Sequence, residues 1–156
     1  MTTEIRAATP ADAHHVLDLV RQLAAYEKMP DAVEMTEEMT AHALAQGHCR
    51  ALLAFSEARP VAVALYFFNF STWTGTRGLY LEDLFVIPEA RKTGLGLQLL
   101  KRLAAMAVTE GCKRMEWSVL DWNESAKGFY KLIGANPAQG WEIWRVDGEA
   151  LKTLAS

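Results

Sequence analysis

Two groups of residues in this chain have the types and spacing to do chemistry. One is the adjacent carboxylate pair Glu82-Asp83, set inside the apolar run Leu79 to Ile87. The other is Arg91-Lys92-Thr93-Gly94-Leu95-Gly96, a glycine pair behind two cations. A carboxylate in mid-strand costs free energy unless it is paired. Neighbours on a regular strand point to opposite faces, so a bulge must re-aim one if both are to serve one site. The chemistry such a pair offers is work on a cationic amine. An alkylamine arrives protonated, with a reference pKa of about 10.4, and cannot attack an acyl group until a base takes that proton. The bland alternative is a charge pair on an edge strand.

The glycine pair lies where a strand hands over to a long helix. Glycines there let backbone approach a ligand closely. First-turn N–H groups and the helix dipole together favour a phosphate, and Arg91 and Lys92 add positive charge. No Gly-Lys-Ser/Thr follows, so this is no P-loop. Gly94-x-Gly96-x-x-Leu99 lacks the third glycine of a dinucleotide fingerprint. Taken alone, the pattern reads equally well as a tight turn with a packing glycine.

Other residues carry a default structural role. Tyr130 falls on an amphipathic helix, where a tyrosine is usually core. Asn123 fits an N-cap. Tyr26 and Glu27 end the first helix, where a carboxylate is ordinarily solvated. Trp73 and Trp141 are core or rim aromatics able to contact an aliphatic amine chain or its cation. His14, His15, His42 and His48 follow no metal-ligand spacing, so no metal is expected. Cys49 and Cys112 form no CxxC pair and read as buried, reduced thiols.

The elements that position these residues follow from periodicity and punctuation. Glu4 to Ala8 is a short strand. Thr9-Pro10-Ala11-Asp12 then opens a helix as a capping box with proline at its first position. Thr36 to Gln46 is a second helix, stopped by Gly47. Cys49 to Phe55 and Pro60 to Asn69 are strands joined by a turn, and the second is apolar enough to be covered on both faces. Leu79 to Ile87 is a strand, Gly94 to Glu110 a long helix closed by Gly111, Lys113 to Leu120 a strand, and Asn123 to Ile133 a helix closed by Gly134. Trp141 to Val146 is expected as a last strand, and Glu149 to Leu154 as a terminal helix. The order predicts an α/β fold on a mixed sheet, mostly antiparallel, with one parallel crossover and no barrel closure.

The 156 residues fit one domain, 1–156. Half of them (51%) are hydrophobic and 22% charged, enough for a packed core without disulfide or metal. The net charge of −3 forces no basic face, which predicts no nucleic-acid partner. Met1 to Arg6 show no apolar run behind a basic start, and no stretch reaches the roughly 18 apolar residues of a membrane span. With two lone cysteines, a cytoplasmic setting off the membrane is expected.

In context the glycine motif gains meaning. Arg-x-x-Gly-x-Gly after a strand and before a long helix resembles the pyrophosphate-binding motif of the GNAT acetyltransferases. Further segments are similar to the spermidine/spermine (diamine) and thialysine acetyltransferase branch of that superfamily. They are Leu23 to Glu27, Leu79 to Val86, Arg91 to Gly96, Trp122-Asn123-Glu124, Phe129-Tyr130-Lys131 with Gly134-Ala135, and Gly140-Trp141. The resemblance covers nearly the whole chain. It implies the GNAT fold, in which a parallel strand pair splays beside the cofactor, and it implies acetyl-CoA as cosubstrate. Leu84, Phe85, Val86, Arg91, Lys92, Thr93, Gly94, Leu95, Gly96 and Leu97 would hold it, with Asn123 on its pantetheine arm. Glu82 matches the general base and Tyr130 the donor that protonates the coenzyme A thiolate. Tyr26, Glu27, Trp73, Glu82, Asp83 and Trp141 would line the amine site. Relatives in this branch are homodimers, often exchanging C-terminal strands, a role open to Trp141 to Val146.

The chain departs from the polyamine enzymes in two loops. Those enzymes carry acidic residues just before the tryptophan, where this chain has Ser71-Thr72-Trp73 and Pro137-Ala138-Gln139-Gly140-Trp141, both neutral. A shorter amine, a thialysine-like amino acid or another amino acid is thus as good a candidate as a polyamine. The alternatives are a protein or peptide N-acetyltransferase and a non-catalytic acetyl-CoA sensor.

Overall fold

The computed structural model describes residues 2–156; Met1 lies outside them. The chain forms two compact units, one ending at Ser118 and the other spanning Val119–Ser156.

In the first unit, strand β1 (Thr3–Ala7) runs into a reciprocal cap. The Thr9 backbone N–H donates to Asp12 Oδ2 at 2.8 Å. Arg6 grips the same carboxylate with both terminal nitrogens, at 2.8 and 2.9 Å. Hydrogen bonding from Arg6 holds the buried Asp12 carboxyl far below its ordinary value. A single 3-10 turn, Pro10–Asp12, then starts helix α1 (Ala13–Tyr26). Val16, Leu17, Leu19, Val20 and Leu23 form its buried stripe. Helix α2 (Glu37–Gln46) is capped by Thr36, whose hydroxyl accepts from the Met39 N–H, and is closed by Gly47 at φ 71°.

Strands β2 (Arg50–Ser56), β3 (Arg59–Ser71), β4 (Thr76–Val86) and β5 (Met115–Trp117) complete a sheet in the order β1-β2-β3-β4-β5. The first three pairings are antiparallel. The last is parallel and joined by helix α3 (Leu95–Thr109), because a parallel neighbour needs a crossover. Val61 to Tyr66 of β3 are buried without alternation, and α1 and α3 both pack on this strand. Leu95, Leu99, Leu100, Leu103 and Ala107 are the buried face of α3. Burying each large aliphatic side chain contributes about 1.5–3 kcal/mol. The turn between β2 and β3 holds Glu57 and Ala58 at φ 50° and 68°, both left-handed and neither a glycine.

The second unit contains α4 (Glu124–Leu132) and α5 (Gly148–Ala155). Two expectations are corrected here. Trp141 to Val146 is not a strand: the segment has no ladder, and Ile143 and Trp144 are exposed. Apolar content alone makes no strand without a neighbour to pair with. The strand expected over Lys113 to Leu120 shrinks to Met115–Trp117.

Candidate active site

The acidic centre is built by a β-bulge. In the β3–β4 ladder Leu65 faces Asp83 and Tyr66 faces Leu81, so Glu82 is the extra residue that the partner strand does not match. A bulge bends its strand and re-aims side chains, which is what adjacent carboxylates need to share one site. Glu82 is exposed, while Asp83 is mostly withdrawn from solvent. Burial pushes the Asp83 carboxyl up to about 6, and the nearby Glu82 and Glu27 carboxylates push in the same direction. Glu27 is the C-cap of α1, and burial raises its carboxyl as well. Three carboxylates from two elements therefore share one electrostatic neighbourhood. Like charges so arranged favour a shared proton or an arriving cation.

Sequence reading missed one neighbour of this cluster. Cys49 lies just before β2, half-buried rather than buried, and its thiol is raised by burial and by the charge of Asp83. A thiol so placed stays protonated. No local pattern around Cys49 signals the contact, because β2 and β4 meet only through β3. Cys112 is likewise half-buried and free.

The loop after β4 is tightly wound. One 3-10 turn, Pro88–Ala90, leads to Arg91, whose Nε donates to the Val86 carbonyl at 3.0 Å. The Thr93 hydroxyl donates to the Ala90 carbonyl at 2.7 Å. Lys92 and Gly94 both take left-handed backbone, at φ 64° and 79°, and Gly94 is the N-cap of α3. At Gly94 the backbone itself calls for glycine. Gly96 differs: a Cβ there would meet Val86 Cγ2 at an ordinary 3.9 Å, so protein packing alone does not require a glycine. A bare backbone beside unspent first-turn N–H groups and two cations fits a polyphosphate.

β4 also splays from its parallel neighbour. β5 pairs only with Leu79, Tyr80 and Leu81, whereas β4 continues to Val86. The Tyr80 hydroxyl and Ser118 Oγ, 2.8 Å apart, close the end of that short ladder. Beyond it Leu84, Phe85 and Val86 have backbone with no strand on that side among the described residues, as the sequence resemblance implied.

The first unit thus brings together Glu27, Glu82 and Asp83, and sets the Arg91 guanidinium against the rings of Tyr26 and Phe85. Trp73 stands in the turn between β3 and β4, 81% exposed. In the second unit Asn123 caps α4, its Oδ1 accepting from the Ala126 N–H at 3.2 Å. Tyr130 lies on that helix with its ring 5.7 Å from Phe129. Trp141 follows in the segment without secondary structure, and its side chain is exposed. Among the described residues no group of three or more His, Cys, Asp or Glu side chains has metal-ligating geometry.

A strand that bulges and splays, followed by a glycine-led helix start, puts an acidic centre and a loop suited to phosphate on one strand of the sheet. Residues 16–135 match the family model of the Acetyltransferase (GNAT) family, and the chain belongs to it as a GNAT N-acetyltransferase. It is similar to the thialysine N-epsilon-acetyltransferase of Bos taurus, with 39% identity over 97% of this chain and 96% of that protein. The Sus scrofa protein of the same name is 40% identical over the same shares. Among solved structures, an integron cassette protein from the mobile metagenome of V. cholerae superposes with a TM-score of 0.83 at 29% identity, covering 99% of this chain and 98% of that one.

Proposed function

We propose that the enzyme moves an acetyl group from acetyl-CoA to the primary amine of a small amino-acid-like molecule such as thialysine. The observation that carries this reading is the Glu27, Glu82 and Asp83 cluster, in which Asp83 is pushed up to about 6. An anionic cluster partly withdrawn from solvent is relieved by a cationic amine. The neutral loops at Ser71 to Trp73 and Pro137 to Trp141 offer nothing further to a long polycation, and so favour a shorter amine over spermidine or spermine.

Acetyl-CoA supplies the activated acetyl group as a thioester. Arg91, Lys92 and Thr93, with the backbone of Gly94, Leu95, Gly96 and Leu97, hold its pyrophosphate, and Asn123 bonds its pantetheine arm. Asp83, Glu27 and Tyr26 receive the amine, with Trp73 and Trp141 against its chain. Glu82, directly or through water, removes the ammonium proton so that the nitrogen lone pair can form the amide bond as the carbon–sulfur bond breaks. Backbone N–H groups along Leu84 to Val86 stabilise charge on the thioester oxygen. Tyr130 returns a proton to the departing thiolate. The acylated nitrogen sheds its remaining extra proton, which recharges Tyr130, so protons and acyl group balance without a covalent enzyme intermediate or a metal.

The family match runs across the boundary at Ser118, which supports the whole chain, 1–156, acting as one GNAT domain. The exposed Ile143 and Trp144 support a homodimer whose Trp141 to Val146 segments pair with a partner. A monomer in light scattering at micromolar concentration would overturn that. The two free thiols fit a reducing, cytoplasmic location.

The test is thiol release from acetyl-CoA across thialysine, lysine, ornithine, putrescine, spermidine and a basic peptide. The expected result is highest kcat/KM on the amino-acid amines. Preference for spermidine would overturn the substrate class, and turnover on the peptide alone would favour protein acetylation.

A further inference from the structure

We propose that Tyr26, at the amine end of α1, is a positioning residue for acetyl-CoA, acting through Arg91 to couple the donor loop to the acceptor site. The inference rests on the donor assignment made under Proposed function and extends it. Arg91 is fixed at three points. Its Nε donates to the Val86 carbonyl at 3.0 Å, its Cζ stands 4.9 Å from the Tyr26 ring centroid, and it stands 5.6 Å from the Phe85 centroid. A guanidinium has five N–H donors in a planar fork. The one on Nε is spent, and among the described residues the terminal nitrogens meet no acceptor. The fork is thereby oriented while the donors suited to bidentate grip of a phosphate are left free.

Phe85 is buried in β4. Tyr26, 44% exposed, is the contact that can change. It is the last residue of α1, and the next residue, Glu27, belongs to the carboxylate cluster around Asp83. An amine that settles Glu27 settles Tyr26 and hence Arg91. By linkage, a phosphate on Arg91 does the reverse.

Acetyl-CoA binding is measured by calorimetry without amine, on the parent, Tyr26→Phe, Tyr26→Leu, Arg91→Gln and the Tyr26→Leu, Arg91→Gln double variant. Loss of one stacking ring predicts a rise in Kd of about three- to tenfold in Tyr26→Leu. Tyr26→Phe, which keeps the ring, stays within about twofold of the parent. Tyr26→Leu adds nothing on top of Arg91→Gln. In steady state, Tyr26→Leu raises the acetyl-CoA KM and Tyr26→Phe does not, a pattern that general loosening of the fold would not give. Should Tyr26→Leu fold poorly, Tyr26→Gln gives the same reading, since it too removes the ring at a position that is 44% exposed. Unchanged acetyl-CoA affinity in Tyr26→Leu, beside normal parent binding, overturns the coupling alone. A parent that binds no acetyl-CoA overturns both the coupling and the donor assignment.

Discussion

Asp83 pairs with Leu65 across the β3–β4 ladder while its neighbour Glu82 pairs with nothing. One unmatched residue therefore lets two successive carboxylates contribute to a single acidic centre. The arrangement carries a thermodynamic cost, because Asp83 is held against burial and against the charges of Glu82 and Glu27.

That cost is measurable through pH. The folded value of Asp83, about 6, lies above its ordinary 3.8, so the folded chain binds this proton more tightly than the unfolded one. The contribution of Asp83 to stability improves as pH falls through about 6 toward 4, and worsens as pH rises. Asp12 works in the opposite sense: held low by Arg6, it stabilises at neutral pH and loses that effect in acid. Comparison of Asp83→Asn with the parent cancels the Asp12 effect. The variant should be more stable by about 1–3 kcal/mol near pH 7.5, with the gap closing toward pH 4. Urea titrations at several pH values check this, and a gap that does not change with pH would contradict it.

The proposed proton transfers predict two kinetic phenotypes. Glu82→Gln and Tyr130→Phe should each lower kcat by roughly 10²–10⁴-fold with little change in melting temperature. Glu82 is exposed and outside the ladder match, so losing its charge removes little packing. Normal turnover in both variants would refute their roles.

The two glycines of the donor loop should separate stability from binding. Gly94→Ala places a side chain at φ 79° and should cost about 1 kcal/mol of stability. Gly96→Ala meets only Val86 Cγ2 at 3.9 Å and should leave the melting temperature nearly unchanged, yet raise the acetyl-CoA KM severalfold. Parallel thermal melts and KM measurements on the two variants read out both effects. An unchanged KM in Gly96→Ala would show that no ligand approaches that face.

The turn between β2 and β3 is open to improvement. Glu57 and Ala58 sit at positive φ, which Asn-Gly accommodates far better. Glu57→Asn with Ala58→Gly should add about 1–2 kcal/mol in chemical denaturation and leave kinetics untouched. A destabilised double variant would mean that Glu57 or Ala58 holds contacts worth more than the strain.

Much of this was legible in the residues. Thr9, Asp12, Thr36 and Gly47 punctuate their helices as local capping chemistry requires, and the carboxylate pair announced its bulge by being adjacent in an apolar run. Pairing and proximity between distant segments were not legible. Trp141 to Val146 has the composition of a strand, but a ladder depends on a second strand that the segment does not specify. The influence of Glu27 on Asp83 and the seating of Arg91 against Tyr26 depend on where α1 ends relative to β4, a distance set by packing of the whole first unit.

The short β5 also bears on the order in which the molecule assembles. β1 to β4 are arranged in space as they follow in the chain apart from the helices after β1, and β2, β3 and β4 form a meander of local hairpins. Such contacts close small loops and form early. β5 must wait for the α3 crossover and then gains only three ladder positions. The edge from which the donor strand splays is therefore the last part of the sheet to lock and the first to open. Its amides should exchange with solvent ahead of those in β3, so this edge breathes on a scaffold that stays closed.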